Sequence, residues 1–401
     1  MNYLVLARKW RPQSFKDVIG QEHVVKTIAN AIKMNRVAHA YLFCGPRGVG
    51  KTTAARLLAK ALNCDKGPTP EPCGQCDPCR EVAAGTSIDV AEIDGASHNG
   101  VENVREIREN AKYLPHRDRH KIYIIDEVHM LSGAAFNALL KTLEEPPGHV
   151  KFIFATTEPQ KLPDTILSRC QRHNFRRIPA ARILQRLKEI GKAEGADLSE
   201  TSLALIVRQS EGSMRDALSL LDQVLSACGS SPTDESVSEA LGAIDPRIVH
   251  RFTEALVRRD AKGLLEQSEE AYNRGIDPKK LAEEIAFQLR HLFVAKALGE
   301  APSELAEVEQ APVLALAREA DVAQLARMFD VVHSFVIDAS RSPQPRIAFE
   351  MSLLSATQLA PAASIPELVE KVERLSAAVS NPEPKKIGAP GGRSDQPSFR
   401  A

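Results

Sequence analysis

No apolar run in the 401 residues is long enough to cross a bilayer, and Met1-Asn2-Tyr3 opens no signal peptide. The chain is therefore expected in the cytoplasm, without a membrane partner. It has no net charge either, since 52 basic residues face 52 acidic ones. Any contact with nucleic acid has to come from a local patch, because no global basic field exists to supply it. Cysteine is sparse and odd in number, at seven. Four of the seven fall in one short stretch, a distribution that argues for a metal in a reducing compartment over a disulfide framework. The length predicts about two to four domains.

Against these absences stands Gly45-Pro46-Arg47-Gly48-Val49-Gly50-Lys51-Thr52, which fits G-x-x-x-x-G-K-[ST] without a gap. His39–Phe43 before it reads as a buried strand, and Thr53–Leu62 after it as a helix with an apolar stripe. That strand–loop–helix context gives the pattern its physical meaning. Backbone N–H groups of the loop and of the helix start at Thr53 form an anion cradle, aligned with the helix dipole. Lys51 is expected to reach the β- and γ-phosphates, and the Thr52 hydroxyl to ligate Mg²⁺. The segment binds a nucleoside triphosphate.

The second half of such a site is an apolar strand with an acidic end, supplied by His120-Lys121-Ile122-Tyr123-Ile124-Ile125-Asp126-Glu127. Asp126 is assigned to Mg²⁺ and Glu127 to the attacking water. Successive strand residues face opposite sides, which gives the two carboxylates separate roles. A small GTPase is disfavoured, because no N-K-x-D guanine-recognition string follows.

The clustered thiols are Cys64, Cys73, Cys76 and Cys79, with two C-x-x-C gaps and a Gly and a Pro between them. This spacing matches one structural, tetrahedral Cys₄ zinc site with no open catalytic position. Cys44, Cys170 and Cys228 stand apart and are expected to be small buried hydrophobes.

Strands are predicted at 39–44, 88–93, 121–126 and 151–157, alternating with helices over residues 1–178. Such alternation implies a parallel sheet with helices on both faces. From 179 to 242 strands vanish and helices are predicted from Pro179, over Leu203–Gln209 and over Met214–Ala227. From 243 to 360 helical periodicity returns in Ile248–Val257, Leu281–Leu298 and Val322–Ile337. Residues 361–401 are expected to hold a short helix, Glu367–Ala378, and a disordered Gly/Pro/Ser-rich tail.

Three further strings narrow the reading: Ser168-Arg169-Cys170, then Glu211-Gly212-Ser213-Met214-Arg215-Asp216-Ala217-Leu218, and the amino-terminal Ala7-Arg8-Lys9-Trp10-Arg11-Pro12 with Phe15-Lys16-Asp17-Val18-Ile19-Gly20-Gln21. Together with the four-cysteine knuckle, they resemble the gamma/tau subunits of the bacterial DNA polymerase III clamp loader, which are AAA+ ATPases. The likeness covers residues 1 to about 360. It implies an α/β P-loop AAA+ domain (1–178) with a zinc-knuckle insertion at 64–79, a helical lid (179–242) and an all-α oligomerisation collar (243–360). It also implies an adenine pocket from Ala7, Arg8, Arg11, Pro12, Val18 and Ile19, although a tryptophan and prolines beside basic residues equally fit an ordered arm packed on the core. Thr157 is similar to the family's first sensor, Arg215 to its second, and Arg169 to an arginine finger that completes a neighbouring subunit's site.

The implied cofactors are ATP, Mg²⁺ and one structural Zn²⁺. The implied partners are delta- and delta-prime-type subunits, further copies of the chain, the sliding clamp, primer–template DNA and the polymerase III core in the nucleoid-associated replisome. Longer family members continue into helicase- and polymerase-binding domains, so the chain is a short form, a truncation or a compact variant. Two rivals stay open on the residues: a branch-migration or helicase motor, and a zinc-stabilised scaffold that binds ATP without turnover.

Overall fold

The computed structural model describes residues 4–302 and 307–358 and six helical positions between 369 and 376. The rest of the expected helix 367–378, and the tail after it, lie outside the described residues. The chain divides into two compact units, 1–243 and 244–401.

In the first unit five strands form one sheet in the order β2-β3-β4-β1-β5. They are β1 (Ala40–Cys44), β2 (Val90–Asp94), β3 (Lys121–Asp126), β4 (Val150–Thr156) and β5 (Gln171–Asn174). Every pairing is parallel. The near-continuous apolar runs of β1, β3 and β4 follow from this, because a central parallel strand is covered on both faces. Alternate residues feed two separate cores. Tyr41, Phe43, Ile122, Ile124 and Ile153 pack with Leu57, Leu58 and Leu62 of the helix Lys51–Asn63. Leu42, Tyr123, Ile125, Phe152 and Phe154 pack with Leu139 and Leu143 of the helix Gly133–Glu144.

The parallel register aligns the carboxyl ends: Cys44 lies opposite Thr156 and Asn174, and Asp94 opposite Asp126. The loop after β1 and the acids after β3 are thereby brought to one edge, where open α/β sheets bind ligands.

Two strands depart from expectation. β5 had no pattern to find, since only His173 of Gln171-Arg172-His173-Asn174 is buried. β2 begins at Val90 instead of residue 88. Ile88 is 74% exposed, and the buried Asp89 accepts backbone N–H bonds from His116 (2.6 Å), Arg117 (2.9 Å) and Asp118 (2.9 Å). That carboxylate ties down a loop instead of extending a ladder.

The same unit carries helices Ala180–Ala193, Glu200–Gln209, Met214–Cys228 and Asp234–Leu241 around Ile183, Leu187, Ile206, Leu221, Val224 and Val237. Ser199, Ser213 and Thr233 each cap a helix by accepting the third-position N–H, which satisfies a donor that has no partner within the helix. The amino-terminal arm packs here as well. Leu6 is buried in this core, and Trp10 donates its indole N–H to Glu194 (2.6 Å) beneath the Arg186 guanidinium.

The second unit is helical among its described residues: Pro246–Val257, Ala261–Asn273, Pro278–Leu298, Glu307–Glu319, Val322–Asp338 and Pro345–Thr357. One core runs through it, centred on Phe252, Leu264, Ile285, Leu289, Met328 and Phe349. Three of these helices escaped the periodicity analysis. Ala261–Asn273 buries only Leu264, Ser268 and Ala271, and Glu307–Glu319 contains Pro312. No described helix is long and apolar enough to cross a membrane.

Candidate nucleotide-binding site

The glycine loop leaves β1 and turns directly into the helix Lys51–Asn63. Gly50 has φ of 102° at the helix start, and Gly48 has φ of 73°, in the left-handed region that L side chains avoid. A Cβ on Gly48 would also lie 1.8 Å from the Ser213 hydroxyl. The loop can approach the helix Met214–Cys228 only because residue 48 has no side chain. Arg215 donates its N–H to the Gly48 carbonyl at 3.3 Å.

Lys51 is buried, and its Nζ donates to the carbonyls of Gly45 (2.8 Å) and Pro46 (2.7 Å). Burial lowers its pKa, while the facing carboxylates of Glu127 and Asp126 raise it. Thr52 Oγ1 donates to Asp126 Oδ2 at 2.5 Å. The two groups assigned to Mg²⁺ therefore meet, and a hydroxyl beside a carboxylate is the oxygen donor set that this hard ion takes.

Glu127 does not continue the strand. β3 ends at Asp126, and Glu127 has φ of 44°. The expected alternation of faces is therefore not what separates the two acids. A left-handed backbone turn redirects the second carboxylate, and the Glu127 N–H donates to Asp126 Oδ1 at 2.9 Å. Glu127 Oε2 accepts two bonds from Thr157, from the backbone N–H (3.2 Å) and the hydroxyl (3.0 Å). Thr157 stands one residue past β4, so the sheet order that puts β4 beside β3 joins these two residues. Thr53 follows within the same helix. His129, which the sequence analysis passed over, lies 3.4 Å from Glu127. Its only signal was its place in Asp126-Glu127-Val128-His129.

The remaining expected residues divide. Ala7 and Ile19 pack on the helical core with Trp10, whereas Val18 is buried with Phe15 on a sheet face. Pro12 is half-buried. Arg11 joins a group of guanidinium ions: burial lowers its pKa first, Arg56 adds to this, Glu92 opposes it, and Arg215 and Arg8 lower it further. Arg56 holds Glu92 through two bonds, of 2.7 and 2.9 Å. Arg8, Arg56 and Arg215 all act on Arg11 with Glu92 the one acid among them, an excess of positive charge that attracts anions. A cavity of about 400 Å³ opens on the loop's other flank, between Pro46, Arg47 and Val49 and the residues Arg177, Ser213 and Asp216.

Arg169 is not drawn into this site. It donates to Glu144 (2.7 Å) and to the Thr165 carbonyl (2.8 Å), and its side chain is 32% exposed.

The Sγ atoms of Cys64, Cys73, Cys76 and Cys79 all lie within 4.8 Å of one another. Cys64 ends the helix Lys51–Asn63, and Cys79 sits inside Asp77–Ala84, which carries Pro78 in its first turn. Backbone N–H groups of Cys73 and Cys76 point at Cys64 Sγ and Cys73 Sγ, each at 3.4 Å. N–H donation from Gln75 and Cys76 brings the Cys73 thiol down to about 6, favouring the thiolate a metal needs. Of the isolated cysteines, Cys44 is buried as expected. Cys170 and Cys228 are only partly so, and Cys228 donates to the Ser236 carbonyl.

A glycine loop on a parallel sheet, paired acids at the end of β3 with β4 between them and the loop's strand, and a helical bundle whose capped helix meets the loop define a P-loop ATPase of the AAA+ class. Known proteins carry this further. Residues 20–179 match the family described as DNA polymerase III, delta subunit, residues 182–230 the clamp loader subunit ATPase lid domain, and residues 233–375 domain III of DNA polymerase III subunits gamma and tau. The DNA polymerase III subunit tau of Bacillus subtilis is 42% identical over 94% of this chain and 68% of its own length. That of Escherichia coli is 43% identical over 92% of this chain and 57% of its own. Among solved structures, the Thermotoga maritima RuvB Holliday junction branch migration motor superposes with a TM-score of 0.44 at 17% identity, over 67% of this chain and 86% of its own. The chain belongs to the DNA polymerase III gamma/tau family of clamp-loader subunits.

Proposed function

We propose that the chain is an ATP-hydrolysing motor subunit that loads the sliding clamp onto primer–template DNA as part of the DNA polymerase III holoenzyme. The observation that carries this reading is the convergence of Lys51, Thr52, Asp126, Glu127 and Thr157 at one sheet edge, with Arg215 held at the loop by its own backbone. ATP lies along the glycine loop, with Lys51 on its β- and γ-phosphates. Thr52 and Asp126 would hold Mg²⁺, which would supply charge neutralisation to the phosphates. Glu127 takes a proton from the attacking water as the water oxygen bonds the γ-phosphorus. The bond from that phosphorus to the β–γ bridging oxygen breaks, ADP and phosphate leave with no covalent intermediate, and Glu127 returns its proton to solvent. Catalysis is by positioning and charge stabilisation.

Arg169 is bonded to Glu144 and Thr165 rather than to its own loop, which supports a role on a neighbouring subunit's nucleotide. Residues 1–178, 179–242 and 243–360 would then be motor, lid and collar. Delta- and delta-prime-type subunits, further copies of the chain and the polymerase III core complete the assembly. ATP binding sustains the grip on an opened clamp, and hydrolysis releases it. Phosphate release measured with and without clamp and primed DNA tests the proposal. Strong stimulation by the two together is expected. Turnover indifferent to both would overturn the clamp-loading role, and no turnover under any condition would leave a nucleotide-binding scaffold.

The four cysteines are assigned one structural Zn²⁺. In small isolated modules such ligation is worth about 10–16 kcal/mol, but here a large two-faced core stands beside it. Cys76→Ser is therefore expected to lower the melting temperature and zinc content while leaving ATP binding in place. Elemental analysis that finds no zinc in protein purified without chelator would defeat the assignment.

A further inference from the structure

We propose that His129 is a positioning residue for Glu127, acting from the turn Val128–Met130 that follows the left-handed residue. The inference rests on the reading of Glu127 as the residue that activates water. The imidazole is only 6% exposed, yet it is not packed as an apolar filler. Its Nδ1 lies 3.0 Å from Thr156 Oγ1 and 3.4 Å from Glu127 Oε2, and its Nε2 lies 3.5 Å from Glu158 Oε1. Thr156 is itself fully buried, and its hydroxyl oxygen accepts the N–H of Glu158 at 3.0 Å. One ring thus joins the end of β4, the turn after β3 and two carboxylates.

The arrangement answers a mechanical need. Glu127 carries φ of 44° without being glycine. Such a backbone is costly for an L residue and persists only where its surroundings hold it. Thr157 fixes the carboxylate from one side through two bonds on Oε2. His129 reaches the same oxygen from the turn. With these contacts converging on Oε2, Oε1 is left to take a proton from water. Without the ring, the carboxylate keeps its charge and its Thr157 bonds but loses the wall that sets its second torsion. A base misplaced by a fraction of an ångström loses rate while the bound nucleotide, held by the loop, is unaffected.

The test uses the assembled clamp-loader complex with clamp and primed DNA, measuring kcat and KM for ATP, nucleotide affinity and melting temperature. His129→Leu is expected to lower kcat about 10- to 100-fold, the range seen when a side chain that orients a reacting group is removed. KM and affinity should stay within about threefold, the signature of an interaction realised in the transition state. His129→Asn keeps an N–H donor near Nδ1 and should recover most of the loss. The double variant His129→Leu, Glu127→Gln should be no slower than Glu127→Gln alone, because a residue that acts through Glu127 has nothing left to position.

Multiplied losses in the double variant, or an unchanged kcat in His129→Leu, would overturn the proposal. If His129→Leu fails to fold, His129→Gln, whose amide reaches the place of Nε2 and leaves that of Nδ1 empty, carries the same comparison, and full activity in it would count against the proposal. Normal turnover in Glu127→Gln would instead sink the reading of Glu127 itself. Loss in Glu127→Gln with an unchanged His129→Leu would sink only the role of His129.

Discussion

Lys51→Ala is expected to abolish ATP binding, whereas Glu127→Gln keeps binding and loses turnover. The buried Nζ spends two hydrogen bonds on the Gly45 and Pro46 carbonyls and faces the carboxylates of Asp126 and Glu127. Three phosphates arriving at the loop meet that charge in a partly dehydrated setting, where it is worth more than in water. Truncating one partner of a buried, hydrogen-bonded charge pair costs about 2–5 kcal/mol. A loss of that size weakens binding by about 30- to 5,000-fold.

Alanine also leaves two carbonyls without their donor, so a melting curve must accompany the measurement. Glu127→Gln removes a proton acceptor while keeping an oxygen to take the Thr157 bonds. A loss of about 10²–10⁴ in turnover is the scale of a missing general base. Nucleotide filter binding beside phosphate release separates the two effects. Equal loss of binding in both variants would contradict the roles assigned here.

The second large effect concerns Arg169. Its guanidinium is committed to Glu144 and to the Thr165 carbonyl of the short helix Asp164–Leu167 that precedes it. If it serves a neighbour, Arg169→Ala should leave ATP affinity and fold intact, since an exposed ion pair contributes about 0–1 kcal/mol to stability. DNA-stimulated hydrolysis by the assembled complex should fall by at least an order of magnitude. Arginine fingers are worth roughly 10³–10⁵ in rate. Arg169→Lys should rescue only in part, because a point charge cannot bridge two oxygens as a planar guanidinium does.

Mixing Arg169→Ala subunits with Glu127→Gln subunits decides between the two geometries. A finger acting across an interface lets some neighbours pair an intact Glu127 site with an intact Arg169, and activity returns. A finger acting within its own chain leaves every subunit deficient. Stable mixed complexes that stay silent would make Arg169 a structural arginine.

The parts of the site that were legible in the sequence are those written in consecutive residues. Gly45 to Thr52 needs one strand before it and one helix after it, and the cysteine set needs only its own spacing, so each could be read locally. Asp126-Glu127 was legible as a pair, but the alternation of faces expected to separate the two acids does not, because a strand pattern says nothing of a left-handed residue at its end. Gln171–Asn174 was invisible for a related reason. As an edge strand with one buried side chain, it lacks the apolar run that marks β1, β3 and β4.

Chemical identity was thus set by the sequence alone: a phosphate loop, an acidic pair and four thiols, each defined by covalent neighbours. Placement was decided only by tertiary structure. The order β2-β3-β4-β1-β5 sets Thr157 beside Glu127 and lets His129 touch Thr156, although these groups come from different strand ends. The close approach of Gly48 to Ser213 brings Arg215 to the loop across more than a hundred residues of chain. Such contacts depend on which strand lies next to which and on which helix cap meets which turn. Strand order and helix docking are settled by burying two sheet faces and a helical core at once, a global condition that no local spacing encodes.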